Sequence, residues 1–233
     1  MSILDNINSV REKIALAARE AGRDPSEILL VAAAKTKGLE AIREAVAAGV
    51  YAVGENRVQE MREKMELGAY EGTRLHFIGH LQKNKVKYVV GVCDLIESVD
   101  SLDLLKLIDR RAAALGTVQD VLLEINIAGE NTKSGLRPEE LPEILDSMAL
   151  FPCVRARGLM AIPPAARKPG ENRVWFGRMF KLFVDIGAKK YDNVSMDFLS
   201  MGMSGDYPDA IAEGANMIRL GTAIFGPREK APA

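Results

Sequence analysis

The chain is poor in the features that mark several classes of protein. It has two cysteines in 233 residues, Cys93 and Cys153, far apart and in no CxxC pair. That argues against a disulfide framework or a thiolate metal knuckle and fits two free thiols in a reducing cytoplasm. The two histidines, His76 and His80, would share a face if their segment were helical. No acid or cysteine stands near them at ligand spacing, so no metal site is expected. Charge of one sign is also lacking: 31 basic and 32 acidic residues leave a net −1, which favours neither nucleic acid nor an anionic membrane as a partner. The basic run Lys83-Asn84-Lys85-Val86-Lys87 is short and reads as a solvated helix face. No apolar run reaches the roughly 18 residues of a membrane span. Met1-Ser2 leads at once into an amphipathic pattern, without a signal peptide. A linker rich in Gly, Ser or Pro and a short-period repeat are missing as well. What remains is the composition of an ordinary globular protein, 48% hydrophobic and 27% charged, expected in the cytoplasm as one domain over residues 1–233.

What is present is alternation. An amphipathic helix runs over Ile3–Ala21, with Ile3, Ile7, Val10, Ile14 and Ala17 on one stripe and Gly22 at its end. Strands are predicted at Ile28–Ala34, Tyr51–Val53, Leu75–Ile78, Asp94–Val99, Val118–Ile127, Val154–Leu159, Asn193–Ser200 and Asn216–Leu220. Between them lie helices at Leu39–Ala48, Arg57–Leu67, a lysine-rich segment, Leu102–Leu115, Pro138–Ala149, Glu171–Ile186 and Asp206–Glu213; Thr222–Phe225 is too short to assign. Eight βα units in roughly 200–250 residues are the pattern of a TIM barrel, here with an extra N-terminal helix. A doubly wound open sheet is the alternative and usually has fewer strands. Ile162-Pro163-Pro164-Ala165-Ala166 reads as one long βα loop.

In a barrel, chemistry sits at the C-terminal ends of the strands. The first strand is a fully apolar run, the mark of burial on both faces, and Lys35 stands at its downstream end. An ammonium there is poorly solvated, its pKa tends to fall, and it becomes a nucleophile toward carbonyls. Taken alone, a lysine in this position more often runs past apolar neighbours to water than takes part in chemistry. Gly54-Glu55-Asn56, Gly79-His80, Asn126 with the loop Glu130–Gly135, and Met160 end the strands that follow. Ser200–Gly205 and Gly221-Thr222 end the last two, where barrels frequently hold phosphate. Glycine lets backbone approach an anion, and Ser204 and Thr222 offer hydroxyls. Read singly, Ser204 is an N-cap and the glycines are turn residues. Arg219, inside the eighth strand, faces inward with Met217, either paired to a core carboxylate or aimed at a ligand's ring acceptor.

Six stretches carry a resemblance across nearly the whole chain: Ala34-Lys35-Thr36-Lys37, Gly54–Glu60, His76–Lys85, Arg157–Ile162, Leu199–Ser204 and Ile218–Gly226. In this order they resemble the pyridoxal phosphate homeostasis family, also called the proline synthetase co-transcribed homologue family, whose barrel is like the N-terminal domain of alanine racemase. The resemblance implies that Lys35 holds pyridoxal 5'-phosphate as a Schiff base. It implies phosphate contacts from Ser204, Gly221 and Thr222 with Ser200 nearby, Arg219 facing the pyridine nitrogen and Asn56 near the ring. Gly38 stands where the family commonly has proline, which predicts a looser loop after Lys35; Leu75 stands where an aromatic is frequent.

The ring partner bears on reactivity. Pyridoxal enzymes that need an electron sink usually set an acid against the ring nitrogen, and arginine does not readily supply that proton. Alanine racemases, which resemble this barrel, also use an arginine but add a β-domain and a tyrosine base given across a dimer. The present chain stops soon after the eighth strand, and its tyrosines 51, 70, 88, 191 and 207 include no obvious base. The expectation is a monomeric cofactor carrier with little or no turnover that serves apo-enzymes dependent on pyridoxal phosphate. An amino-acid racemase, and a lysine aldolase on a phosphosugar barrel, are the competing readings. The Asn131–Gly135 loop reads as solvated, with a lid or a contact surface as alternatives.

Overall fold

Each apolar run bounded by turn residues becomes one strand of a closed parallel barrel. The computed structural model describes residues 2–130 and 132–227. Its strands are Leu29–Ala33 (β1), Ala52–Glu55 (β2), Arg74–Phe77 (β3), Leu95–Val99 (β4), Gln119–Glu124 (β5), Val154–Met160 (β6), Val194–Ser200 (β7) and Met217–Leu220 (β8). They follow one another round the barrel in chain order, and β8 closes on β1 with Arg219 opposite Val31. The helices are Ile3–Glu20 (α1), Leu39–Ala47 (α2), Val58–Glu66 (α3), Leu102–Leu115 (α4), Leu141–Ser147 (α5), Arg173–Gly187 (α6), Tyr207–Ala212 (α7) and Thr222–Phe225 (α8). The architecture is the TIM barrel with an added N-terminal helix.

Helix ends follow their chemistry. Ser2 and Asp5 form a reciprocal capping box on α1. Ser101 caps α4, which closes on Gly116 at φ 64°. Three segments depart from expectation. The lysine-rich segment is a 3₁₀ helix, Lys83–Tyr88, and His76 and His80 are on a strand and in the loop after it rather than on a helix. β5 stops at Glu124, because the Asn126 side chain turns the chain by accepting from Glu130 N–H (3.1 Å) and donating to its carbonyl (2.9 Å). The Pro138–Ala149 helix splits into 3₁₀, α and 3₁₀ pieces, with Pro142, which has no N–H to give, in the first turn of α5. Thr222–Phe225 is a single helical turn. Among the described residues no helix is long and apolar enough to cross a membrane.

The helices bury their apolar stripes against the outside of the barrel in one large core. Inside the barrel a smaller plug is formed by Val31, Ala52, Leu95, Leu122, Met160 and Met217. Side chains alternate along a strand, so two residues further on the inward positions are Ala33, Gly54, Glu97, Glu124 and Arg219. The lining thus changes from apolar to small and charged toward the C-terminal rim. α1 lies on the outside of the barrel against α2, α7 and α8, and Asn6 Nδ2 donates to the Ile224 carbonyl (2.8 Å). Ile7 is fully buried there. Ile7→Ala is expected to cost about 2–5 kcal/mol, the range for a large-to-small core change, read as a lower urea midpoint at unchanged m-value.

Candidate functional site

Closure of β8 on β1 brings the turn after the first strand and the loops after the last two strands together at the rim. A cleft of about 230 Å³ there is lined by Ala33, Lys35, Lys37, Met203, Ser204, Gly205, Arg219, Gly221, Thr222 and Gly226. Five residues singled out from the sequence, Lys35, Ser204, Arg219, Gly221 and Thr222, therefore meet in one place. Lys35 is half-buried in the turn that follows β1. Lys37, which sequence reasoning passed over, points its Nζ at the Phe225 carbonyl (3.2 Å) across the same cleft. Its signal was present: two lysines two residues apart at a strand end. The cleft lining holds three cations and two hydroxyls and no carboxylate, a set suited to an anion that also bears an electrophile.

The two loops are joined. Ser204 Oγ accepts the Ala223 N–H at 3.2 Å and keeps its own proton for donation. Gly202 lies at φ 92°, and a Cβ there would sit 2.6 Å from that of Ala210, so a side chain would push the loop off α7. The helix after β7 is shorter than expected and opens on buried Asp206, whose carboxylate accepts from Met203 N–H and Asn172 Nδ2, each at 2.8 Å. Gly38 is extended (φ −75°, ψ 169°) as the N-cap of α2. That is a backbone shape proline also adopts, so the turn after Lys35 is not opened by the glycine.

Beneath the cleft a polar network fills the barrel. His76 Nδ1 lies 2.7 Å from Glu97 Oε1. Ser200 donates to Glu97 Oε2 (2.6 Å) and accepts from Arg219 Nη1 (2.5 Å). Arg219 Nη2 donates to the Ala161 carbonyl (2.9 Å), and Nη1 is 3.7 Å from Glu97 Oε2. Burial pushes the Glu97 carboxyl up, but the hydrogen bond and charge of His76, the Arg219 charge and the Ser200 hydroxyl outweigh it and leave it below the ordinary range. Burial lowers the Arg219 pKa against the pull of Glu97, Glu124 and Asp206; an arginine stays cationic nonetheless. Burial raises Glu124 against the Ser134 hydroxyl that bonds it (2.9 Å).

Two expected site residues are placed elsewhere. Ser200 is the last residue of β7, fully buried, with its hydroxyl committed to Glu97 and Arg219 rather than to the cleft. Asn56 lines a neighbouring hollow with Arg57, Phe77, His80 and Lys85. Its backbone is held by close packing, since a Cβ on Gly79 would lie 2.3 Å from the Asn56 carbonyl oxygen. Among the described residues its buried Oδ1 has no hydrogen-bond partner, leaving an acceptor for a ligand donor. The partners of the histidines came from the neighbouring strand: His76 meets Glu97, and His80 Nδ1 is 3.1 Å from Asp100. In the loop after β5, Asn131 lies outside the described residues, while Ser134 is tied to Glu124 and Lys133 pairs with Glu130. A larger cavity, about 590 Å³, lies between the start of that loop and α6 and shares no lining residue with the cleft.

Residues 6–229 match the family model for the alanine racemase N-terminal domain. The chain is 42% identical over 229 residues to the pyridoxal phosphate homeostasis protein of Aquifex aeolicus, covering 98% of this chain and all of that protein. It is 43% identical to the protein of that name from Escherichia coli K12, covering 97% of each. Among solved structures it resembles PipY of Synechococcus elongatus with pyridoxal phosphate bound, at TM-score 0.83 and 34% identity over 97% of this chain and all of that one. Alanine racemase of Clostridium difficile shares the fold at TM-score 0.69 and 16% identity, with 98% of this chain matching 56% of the racemase.

Proposed function

Since the chain belongs to the alanine racemase N-terminal-domain family, among its pyridoxal phosphate homeostasis proteins, we propose that it binds pyridoxal 5'-phosphate on Lys35 as a Schiff base. On this reading it takes part in intracellular homeostasis of that cofactor, with little or no turnover of its own. The observation that carries it is the cleft itself: a primary amine, two further cations, two hydroxyls and three glycines, with no acid among them. When bound, the cofactor supplies an aldehyde that combines reversibly with a primary amine. Lys35 is the amine. Ser204 and Thr222 donate hydroxyls, and Gly205 and Gly221 backbone amides, to the phosphate. Arg219 has N–H groups beyond the two it uses within the barrel and would offer one of them to the ring nitrogen. Asn56, which lines the adjoining hollow and has an unpartnered Oδ1 among the described residues, would lie near the ring.

Two features of the surroundings support low turnover, although alanine racemases share the first. Arginine does not readily hand a proton to the ring nitrogen, so the electron sink is weak. None of the five tyrosines lines the cleft; Tyr70 bonds Glu55 on the outside of the barrel, and burial raises the pKa of Tyr207. The recipients are apo-enzymes that need the same cofactor.

The test loads the protein with pyridoxal phosphate, removes the excess and records its visible spectrum and its mass after borohydride reduction. The expected result is a stoichiometric, reducible chromophore that restores activity to an added apo-enzyme, with alanine racemised no faster than by free cofactor. A colourless protein that instead traps a sugar phosphate, or sustained racemisation, overturns the proposal.

A further inference from the structure

Lys35 lies in a turn whose shape needs holding. Thr36, the next residue, sits at φ 63°. The left-handed region is an outlier for a β-branched side chain and persists only where neighbours enforce it. The peptide groups on both sides of Lys35 are gripped by side chains of one helix. Glu60 Oε2 accepts the Thr36 N–H at 3.0 Å. Lys64 Nζ donates to the Ala34 carbonyl at 2.9 Å. Glu60 and Lys64 are four apart on α3 and so share a face, with Lys64 Nζ 3.9 Å from Glu60 Oε2.

The grip is anchored from below. Lys64 Nζ also donates to Glu55 Oε1 at 2.7 Å, and Tyr70 OH donates to the same oxygen at 3.0 Å. Glu55 is wholly buried at the end of β2, and its other oxygen has no partner among the described residues. A buried cluster of this kind is weak evidence for stability, since apolar packing would often serve as well. Its geometry says what it does instead. Both of its free ends reach the backbone on either side of Lys35.

We propose that Glu60 and Lys64 are positioning residues that aim the Lys35 amine into the cleft by fixing its two flanking peptide groups, with Glu55 and Tyr70 setting Lys64. The proposal rests on the cofactor-binding reading for its consequence but not for its geometry. A side chain hung from a fixed turn is offered to the cofactor in one direction, whereas one hung from a loose turn must be ordered when the cofactor arrives.

The test has two arms. Without cofactor, amide exchange of Thr36 is compared in the parent, Glu60→Gln and Glu60→Ala. The alanine variant is expected to exchange about tenfold faster, the scale of one hydrogen bond to a charged acceptor, and Glu60→Gln, which keeps an acceptor oxygen, to recover part of the protection. With cofactor, the same variants and Lys64→Met with Glu55→Gln, a pair that removes both buried charges, are titrated by the visible band. Weaker affinity by about tenfold and a displaced pH midpoint of the band are expected, with Lys83→Met unchanged. Unchanged Thr36 exchange in Glu60→Ala overturns the grip. Faster exchange with unaltered affinity and pH midpoint overturns its role in aiming Lys35. If the parent itself takes up no cofactor, the reading of the site fails instead, and the exchange arm still decides the grip.

Discussion

Lys35→Ala is expected to abolish the visible band that forms on mixing with pyridoxal phosphate, and with it all label fixed by borohydride. The amine is the group that combines with the aldehyde, and alanine has none. The change is complete rather than graded, because the other lysine in the cleft is engaged elsewhere: Lys37 Nζ donates to the Phe225 carbonyl. Non-covalent binding should survive in weakened form, since Ser204, Thr222, Gly205 and Gly221 are untouched. Lys35→Arg keeps the charge without a condensing amine and is expected to behave like the alanine variant, which separates charge from nucleophilicity. Lys37→Ala is expected to keep the band. A Lys35→Ala protein that still colours and carries its label on Lys37 would refute the assignment. The fold should be retained, because Lys35 belongs to neither hydrophobic core cluster.

Glu97→Ala is expected to be the most damaging single change inside the barrel. It leaves the Arg219 guanidinium, 4% exposed, without its nearest carboxylate and takes a partner from both His76 and Ser200. Breaking a buried pair by removing one member costs about 3–5 kcal/mol, which urea denaturation at neutral pH measures directly. Glu97→Gln keeps the shape and loses the charge, and its deficit should depend on pH. The Glu97 pKa is lowered in the folded protein from an ordinary value of 4.5. Such a group adds stability above the unfolded pKa and loses it as pH falls through the folded one. The gap between parent and Glu97→Gln should therefore be widest above the carboxylate range and narrow in acid. Glu55 and Glu124 are raised by burial; their contribution has the opposite sign, being present in acid and lost as pH rises through their folded values. A gap that does not vary with pH would show that Glu97 carries no net charge advantage. Uptake of cofactor should weaken too, since Ser200 then holds Arg219 without its anchor.

Much of this was legible in the chain before any coordinates. Strand and helix alternation follows from runs of apolar residues with periods near two and 3.6 and from Gly, Ser and Pro at their ends, and eight repeats of that unit imply a barrel. The rim position of Lys35 and of the Ser204 and Thr222 loops follows from strand direction alone. The charged layer was legible in part: Glu97 interrupts an apolar strand two residues after Leu95, and Arg219 does the same after Met217. Their partners were not. His76 and Glu97 are 21 residues apart and Ser200 and Glu97 are 103 apart, separations that no local period encodes. The lysine-rich segment Lys83–Tyr88 forms a 3₁₀ rather than an α-helix, a distinction that composition does not make over six residues.

The sequence by itself determined the order of elements, which ends of the strands carry polar chemistry, and the family. Only the tertiary structure decided that Lys37 shares the cleft, that Ser200 serves Arg219 instead of the rim, and that Glu60 and Lys64 hold the backbone on either side of Lys35. The physical reason is closure. A local pattern specifies which face of a strand or helix is buried, but which side chains meet across a barrel depends on strand register and on β1 pairing with β8, quantities set by the packing of the whole chain at once.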